Sequence, residues 1–238
     1  FGLVDGAEAK RGCKAIKTRS VDNFYLPDDY QADLQTFTGV AKERYVNGLW
    51  VAAEGLVYPE MLDCFVSHAE PPVGQLVGGV DFGYRNPFCC LLGTIYQAED
   101  GRQVLYVWHE RYSAEQPIEV HAQAMLGLMP MNEGLIFADP ENTENIRSLR
   151  LKGMQVVKAT KHVLAGIDAV NGLLASARLF ISERCENLKK EAEVYCYSTK
   201  DEKEKPVKTF DHAMDALRYM VMGVKVRRLM QFRESEVA

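Results

Sequence analysis

QLVGGVDFGYRNPFCCLLGTIYQAEDGRQVLYVWHERY, residues 75–112 of the 238-residue chain, holds three apolar runs separated by two turn signals. QLVGGVDFG reads as a strand, Tyr84-Arg85-Asn86-Pro87 as a turn, and FCCLLGTIYQ as a second strand. Asp100-Gly101 is a strong turn dipeptide, and QVLYVWHERY supplies a third strand. Runs this close in sequence pair as neighbours, so an antiparallel three-strand meander is predicted. Cys89 and Cys90 sit side by side in the second run, which sends them to opposite faces of the sheet.

Beyond the meander the period changes. PIEVHAQAMLGLM has helical spacing, with Ile118, Ala122, Met125 and Met129 on one side. GLIFA is a short buried strand ending at Asp139, ENTENIRSLRLKG a helix closed by Gly153, and MQVVKA another strand. Residues 165–177 recur at helical spacing through Ile167, Val170, Leu173, Leu174 and Ala177. RLFIS reads as a short strand, CENLKKEAEVYCY as a helix, DEKEKPVK as a charged loop, and DHAMDALRYMVMGVK as a final helix. Strands separated by helices run parallel to one another, so the predicted fold is α/β, a mixed sheet flanked by helices.

Before Pro72 the pattern is irregular. Residues 1–72 read as an N-terminal arm, with a helix from Asp28 to about Thr38 ended by Gly39 and short strands in GLWVAAEGLVY. Residues 73–238 form the regular domain.

Composition narrows the functional classes. The chain is 47% hydrophobic and 26% charged, enough for a sizeable core. No apolar run approaches the ~20 residues needed to span a bilayer, and the N-terminus lacks a signal-peptide pattern. It also lacks an initiator Met, as in a fragment or processed chain. Cys13, Cys64, Cys89, Cys90, Cys185 and Cys196 form no C-x-x-C pair, which points to free thiols in a reducing compartment. The net charge of −5 argues against nonspecific coating of nucleic acid. Yet Arg147, Arg150, Lys152, Lys158 and Lys161 occur within residues 147–162 with no acid among them, either a solvated face or a track for phosphates.

Three acids stand out. Asp81 ends an apolar strand, where a carboxylate is costly unless it binds a cation, though it also suits a turn before Gly83. Asp139 follows LIFA and precedes Pro140, compatible with a helix N-cap or with the crevice at a strand's carboxyl end. Asp215 lies four residues after Asp211 and three after His212, so each pair can share a helix face. Ala213, Leu217, Met220 and Val224 form an apolar stripe, and the two acids lie opposite it. A capping Asp211 on a solvated face explains the helix equally well. Jointly, a strand acid, a strand-end acid and a helix acid could supply two-metal phosphodiester hydrolysis, and composition does not choose between that and coincidence.

GGVDFGYRNPF, FADPENTENIRSLRLKG, VLAGIDAVNGLLASARLFISERCENLKKEAEVY and KTFDHAMDALRYMV together resemble the nuclease domain of the large terminase subunit of tailed bacteriophages. In the arm, DNFYLPDDYQADL and NGLWVAAEGLVYPEM are similar to the lead-in to that domain, so the likeness runs from about Ser20 to Val224. The resemblance implies a ribonuclease H-like fold and a metal-dependent endonuclease that cuts concatemeric double-stranded viral DNA during genome packaging. It implies Asp81, Asp139 and Asp215 as catalytic metal ligands for two Mg²⁺ or Mn²⁺ ions, Asp81 being shared. Asp211 and His212 flank the third position as secondary candidates, since relatives differ over which neighbour takes part. Arg147, Lys152, Lys158 and Lys161 are candidate DNA contacts. In the full-length protein the implied partners are the portal and the small terminase subunit, in the host cytoplasm and without a membrane. The family's complete protein carries an ATPase motor, but no G-x-x-x-x-G-K-[ST] loop occurs here, so the chain is expected to be the nuclease portion. The rival readings are a non-catalytic docking module of the packaging motor and another ribonuclease H-like nuclease such as a junction resolvase.

Overall fold

A computed structural model describes residues 55–129, 133–198 and 205–236, with side chains to residue 225. The helix read at residues 28–38, the strands before Gly55, Cys13 and most of the charged loop at 201–208 lie outside the described residues.

The meander forms as predicted. Strand β2 (Gln75–Asp81) pairs antiparallel with β3 (Phe88–Gln97), and β3 with β4 (Gln103–Ser113). A bulge at Leu92/Gly93 interrupts the second ladder. Helix α1 (Ile118–Leu128) leads to β5 (Leu135–Ala138), which lies parallel to β2, and α2 (Thr143–Leu151) leads to β6 (Val156–Lys158), parallel to β5. Helix α3 (Val163–Ala175) then crosses to β7 (Leu179–Ser182), which joins the opposite side of the sheet, parallel to β4. One further strand, β1 (Phe65–Val66), pairs with β7. It has no sequence signature because two residues carry no period. The order is β1-β7-β4-β3-β2-β5-β6, a seven-stranded mixed sheet. Helices α4 (Glu186–Ala192) and α5 (His212–Glu236) and a short 3-10 helix at Met61–Cys64 complete the elements among the described residues.

Side-chain alternation divides the core between the two faces. Val77, Cys89, Leu91, Val107 and Ile181 pack with α3, α4 and α5 on one face. Val80, Cys90, Leu92, Trp108, Ile136 and Val156 pack with α1 and α2 on the other. Adjacent Cys89 and Cys90 thus fall in different layers, both as free thiols. Val57, Tyr58 and Met61 also join the first layer.

Two expectations are corrected. CENLKKEAEVYCY is helical only over Glu186–Ala192. From Val194 to Cys196 three consecutive side chains are buried beyond the end of the helix. The Tyr195 carbonyl accepts from Val57 N, and its ring stacks on Tyr58. The final helix, in turn, is not a single apolar stripe. Every residue from Ala216 to Met222 is buried, as are Ala213 and Met214, because α5 lies across β2, β3 and β5 with α3 and α4 beside it.

Two glycines let α5 approach so closely. A Cβ on Gly79 of β2 would run into the Ala216 carbonyl, and one on Gly223 would enter the Phe137 ring of β5. These contacts fix which face of each strand looks at α5.

Candidate active site

Side chains two apart on a strand share a face. Gly79 faces α5, so Asp81 does as well; Phe137 faces α5, so the backbone carries Asp139 to the same side. Gly79 and Phe137 are in register, as are Val80 and Ala138. The next pair along these parallel strands is Asp81 and Asp139, about 4.8 Å apart in backbone spacing. Asp139 N donates to the Val80 carbonyl at 3.0 Å, tying the two acids' backbones together. Both therefore stand at the carboxyl ends of adjacent parallel strands, where open sheets place their ligands.

Helix α5 brings the rest. Its first residue, His212, meets Asp81 through Nδ1 and Oδ2 at 2.8 Å. Asp211 precedes it, and the Asp211 carbonyl accepts from Asp215 N at 2.7 Å, closing the first turn. The electrostatics of these groups are mutual. Burial raises the Asp81 carboxyl above the usual range; the His212 hydrogen bond opposes this, while the negative charges of Asp215 and Asp139 add to it. Asp211 is pushed up to about 6, first by burial and then by Asp215. On His212, burial would lower the imidazole, but Asp81, Glu191 and Asp211 together hold it above its ordinary value.

Asp139 is not the helix cap that Pro140 suggested. Asn142 holds the N-cap of α2, its side chain accepting from Asn145 N, while Asp139 Oδ1 accepts from Glu141 N in a tight turn. Asp139 is thereby released from the helix and stays at the strand end.

Each of the three acids is turned onto a base: Asp81 onto His212, Asp139 onto Lys161 at 3.6 Å, and Asp215 onto the buried Arg218. Among the described residues no three His, Cys, Asp or Glu side chains surround one point closely enough to cage an ion. The donor set itself suits a hard divalent cation, since it offers carboxylate oxygens from two strand ends and a helix. Their mutual repulsion at Asp81 is also the kind of load such a cation relieves.

The basic candidates divide. Lys161 also reaches Glu141 at 2.6 Å and so stands beside Asp139, whereas Lys158 donates to Thr143 Oγ1 at 3.0 Å at the start of α2. Lys152 caps the far end of α2, roughly 13 Å along a nine-residue helix that starts near Asp139, and Arg147 is exposed midway. Arg150 is a structural residue, its Nε donating to the Val156 carbonyl.

The sequence reading missed Arg218 and Glu191. Arg218 carried a legible signal, its i,i+3 spacing from Asp215. Glu191 carried none, being one of two acids in KKEAE. It is 3% exposed, accepts from Ala213 N at 2.7 Å and Met214 N at 3.1 Å, and takes the Tyr112 hydroxyl at 2.8 Å.

Comparison with known proteins gives a consistent result. A family model described as the terminase RNaseH-like domain matches residues 78–223. The PBSX phage terminase large subunit of Bacillus subtilis (strain 168) is 25% identical over 188 residues, covering 74% of this chain and 42% of its own length. The large terminase of a thermophilic bacteriophage superposes with a TM-score of 0.63 at 26% identity, over 84% of this chain and 52% of that one. At the level of fold alone, the g2p large terminase nuclease domain of bacteriophage SPP1, crystallised with bound Mn, gives a TM-score of 0.52 at 18% identity. That match covers 67% of this chain and 96% of that one. The chain spans about half the length of the larger proteins it matches.

Proposed function

The chain belongs to the terminase family through its RNase H-like domain, and from that membership we propose that it is a divalent-metal-dependent endonuclease acting on double-stranded concatemeric viral DNA during packaging. One observation carries the reading: Asp81 and Asp139 end adjacent parallel strands on the face that α5 covers, and α5 begins there with His212 touching Asp81. Residues 73–238 are the body of the nuclease domain on this reading, and 1–72 the arm leading into it, the end of which supplies Val57, Tyr58, Met61 and β1 to the domain's core and sheet.

Asp81, Asp139 and Asp215 would hold the ions, two of Mg²⁺ or Mn²⁺, with Asp81 shared; a metal-bound SPP1 nuclease domain of the same fold supports this. When bound, divalent ions activate water and stabilise the leaving oxygen of a phosphodiester. The chain's own groups do the rest. His212 fixes the Asp81 carboxylate, and Arg218 orients Asp215 from below. Lys161 lines the approach and would meet the DNA backbone, as would Lys158 at the start of α2 and Arg147 and Lys152 further along it. The portal and the small terminase subunit are the proposed partners of the full-length protein, in the host cytoplasm. Among the described residues no helix is long and apolar enough to cross a membrane.

The test is cleavage of supercoiled plasmid with Mg²⁺ or Mn²⁺, in wild type and in Asp81→Asn purified identically. Wild type should nick and linearise the plasmid, EDTA should stop it, and the variant should lose at least about a hundredfold in rate. Equal nicking by both proteins overturns the site; inactivity of both favours a docking role.

A further inference from the structure

The first turn of helix α5 is held by a side chain far away in the chain, whereas that of α2 is held by the adjacent Asn142. The first N–H groups of a helix need acceptors, and those of Ala213 and Met214 find theirs in Glu191, 22 and 23 residues earlier in the chain. Glu191 itself is fixed from two sides. The Tyr112 hydroxyl of β4 donates to its second oxygen, and the Tyr112 ring meets His212 edge-on, with centroids 6.4 Å apart. Helix α4, which carries Glu191, is seven residues long and too short to hold its own position. It is pinned by Glu110 of β4, which accepts from Asn187 N, Asn187 Nδ2 and Leu188 N at 3.0, 2.7 and 2.6 Å. Two buried or half-buried carboxylates thus act in series, β4 to α4 and α4 to α5. The second of them grips the turn between His212 and Asp215.

We propose that Glu191 is a positioning residue for the metal-binding end of α5, setting the height and rotation at which His212 and Asp215 face Asp81. The inference rests on the nuclease reading above, in which Asp81 and Asp215 hold divalent ions. A carboxylate that accepts two adjacent N–H groups fixes both the axial position of a helix and its rotation; a single bond would fix neither. Without it the first turn of α5 can fray, although the packed stretch from Ala216 to Met222 keeps the helix in the core.

The experiment measures Mn²⁺ affinity by calorimetry on the DNA-free 238-residue chain, together with kcat and KM for plasmid cleavage and thermal unfolding. Glu191→Ala should weaken Mn²⁺ binding about 10- to 100-fold, the range found for outer partners of metal ligands, and lower kcat with KM for DNA little changed. Glu191→Gln, which keeps an oxygen for the two N–H groups, should restore affinity to within about threefold of wild type. A Glu191→Ala protein that melts earlier yet binds Mn²⁺ as wild type, when folded, overturns the inference. If Glu191→Ala does not fold, Tyr112→Phe takes its place. That variant should bind Mn²⁺ about threefold more weakly, and unchanged affinity there also overturns the inference. Asp81→Asn is the control: intact Mn²⁺ affinity in that variant refutes the metal site itself, whereas loss in Asp81→Asn without loss in Glu191→Ala refutes only the role of Glu191.

Discussion

Replacing Gly79 by Ala tests whether the approach of α5 to β2 sets the site. A Cβ there would lie 2.9 Å from the Ala216 carbonyl carbon and 3.0 Å from Met220 Cβ, besides overlapping the Ala216 oxygen. Carbon atoms prefer about 3.5–4.0 Å, so α5 must retreat by roughly 1 Å or β2 must bend. The obstacle is backbone and cannot rotate away. Overpacking of this kind costs about 1–3 kcal/mol, offset by at most about 1 kcal/mol from the reduced freedom of the unfolded chain. A net loss of about 2 kcal/mol lowers Tm by about 4–8 °C for a chain of this size. Because Asp215 directly precedes Ala216, the same displacement moves it away from Asp81, and a 1 Å misplacement costs about a hundredfold in rate. Gly78→Ala is the matched control. Its Cβ would point to the other layer and find its three nearest atoms at 3.3 Å, two of them in the Ile136 and Leu92 side chains. Denaturant unfolding, calorimetric Mn²⁺ binding and plasmid cleavage on both variants decide the matter. The reasoning is refuted if Gly79→Ala matches Gly78→Ala in stability, and equally if it is less stable but binds and cleaves like its control.

Two further outcomes are expected. Burial pushes the Glu191 carboxyl from its ordinary 4.5 up to about 7, against hydrogen bonds from Tyr112, Met214 and Ala213 that favour the ionised form. Between those values the folded chain keeps a proton that the unfolded chain has released. Stability should therefore fall as pH rises from about 4.5 to about 7. Glu191→Gln should flatten that decline in urea unfolding, and an identical decline in the variant would show the assignment to be wrong. Lys161→Ala should weaken binding to duplexes of any sequence alike and reduce the slope of log K against log salt by about 1; a changed sequence preference with an unchanged slope would exclude a phosphate contact.

Much of the sheet was legible because its determinants are local. β3 spans the residues read for it, and the β2–β4 meander follows from short turns and alternating apolar side chains. Asp81 and Asp139 could be located at strand ends for the same reason, since an acid after VGGV or LIFA marks where burial stops. Other features leave no such trace. Nothing in CENLKKEAEVYCY announces that the helix ends at Ala192, because Tyr195 is drawn out of it by Tyr58 and Val57. The apolar stripe drawn on α5 is buried as read but is too narrow, because past Asp215 the helix packs against a sheet and two other helices at once.

By itself the sequence determined most of the secondary elements, the opposite faces taken by Cys89 and Cys90, and the three acids worth comparing. Periodicity and turn chemistry act over a few residues and are written in composition. The tertiary structure alone decided that β7 joins the edge beyond β4, that Arg218 is buried against Asp215, and that Glu191 caps a helix 22 residues downstream. The first and last of these join groups distant along the chain, which no local pattern encodes, and the burial of Arg218, whose i,i+3 spacing was legible, depends on which backbones packing brings around α5.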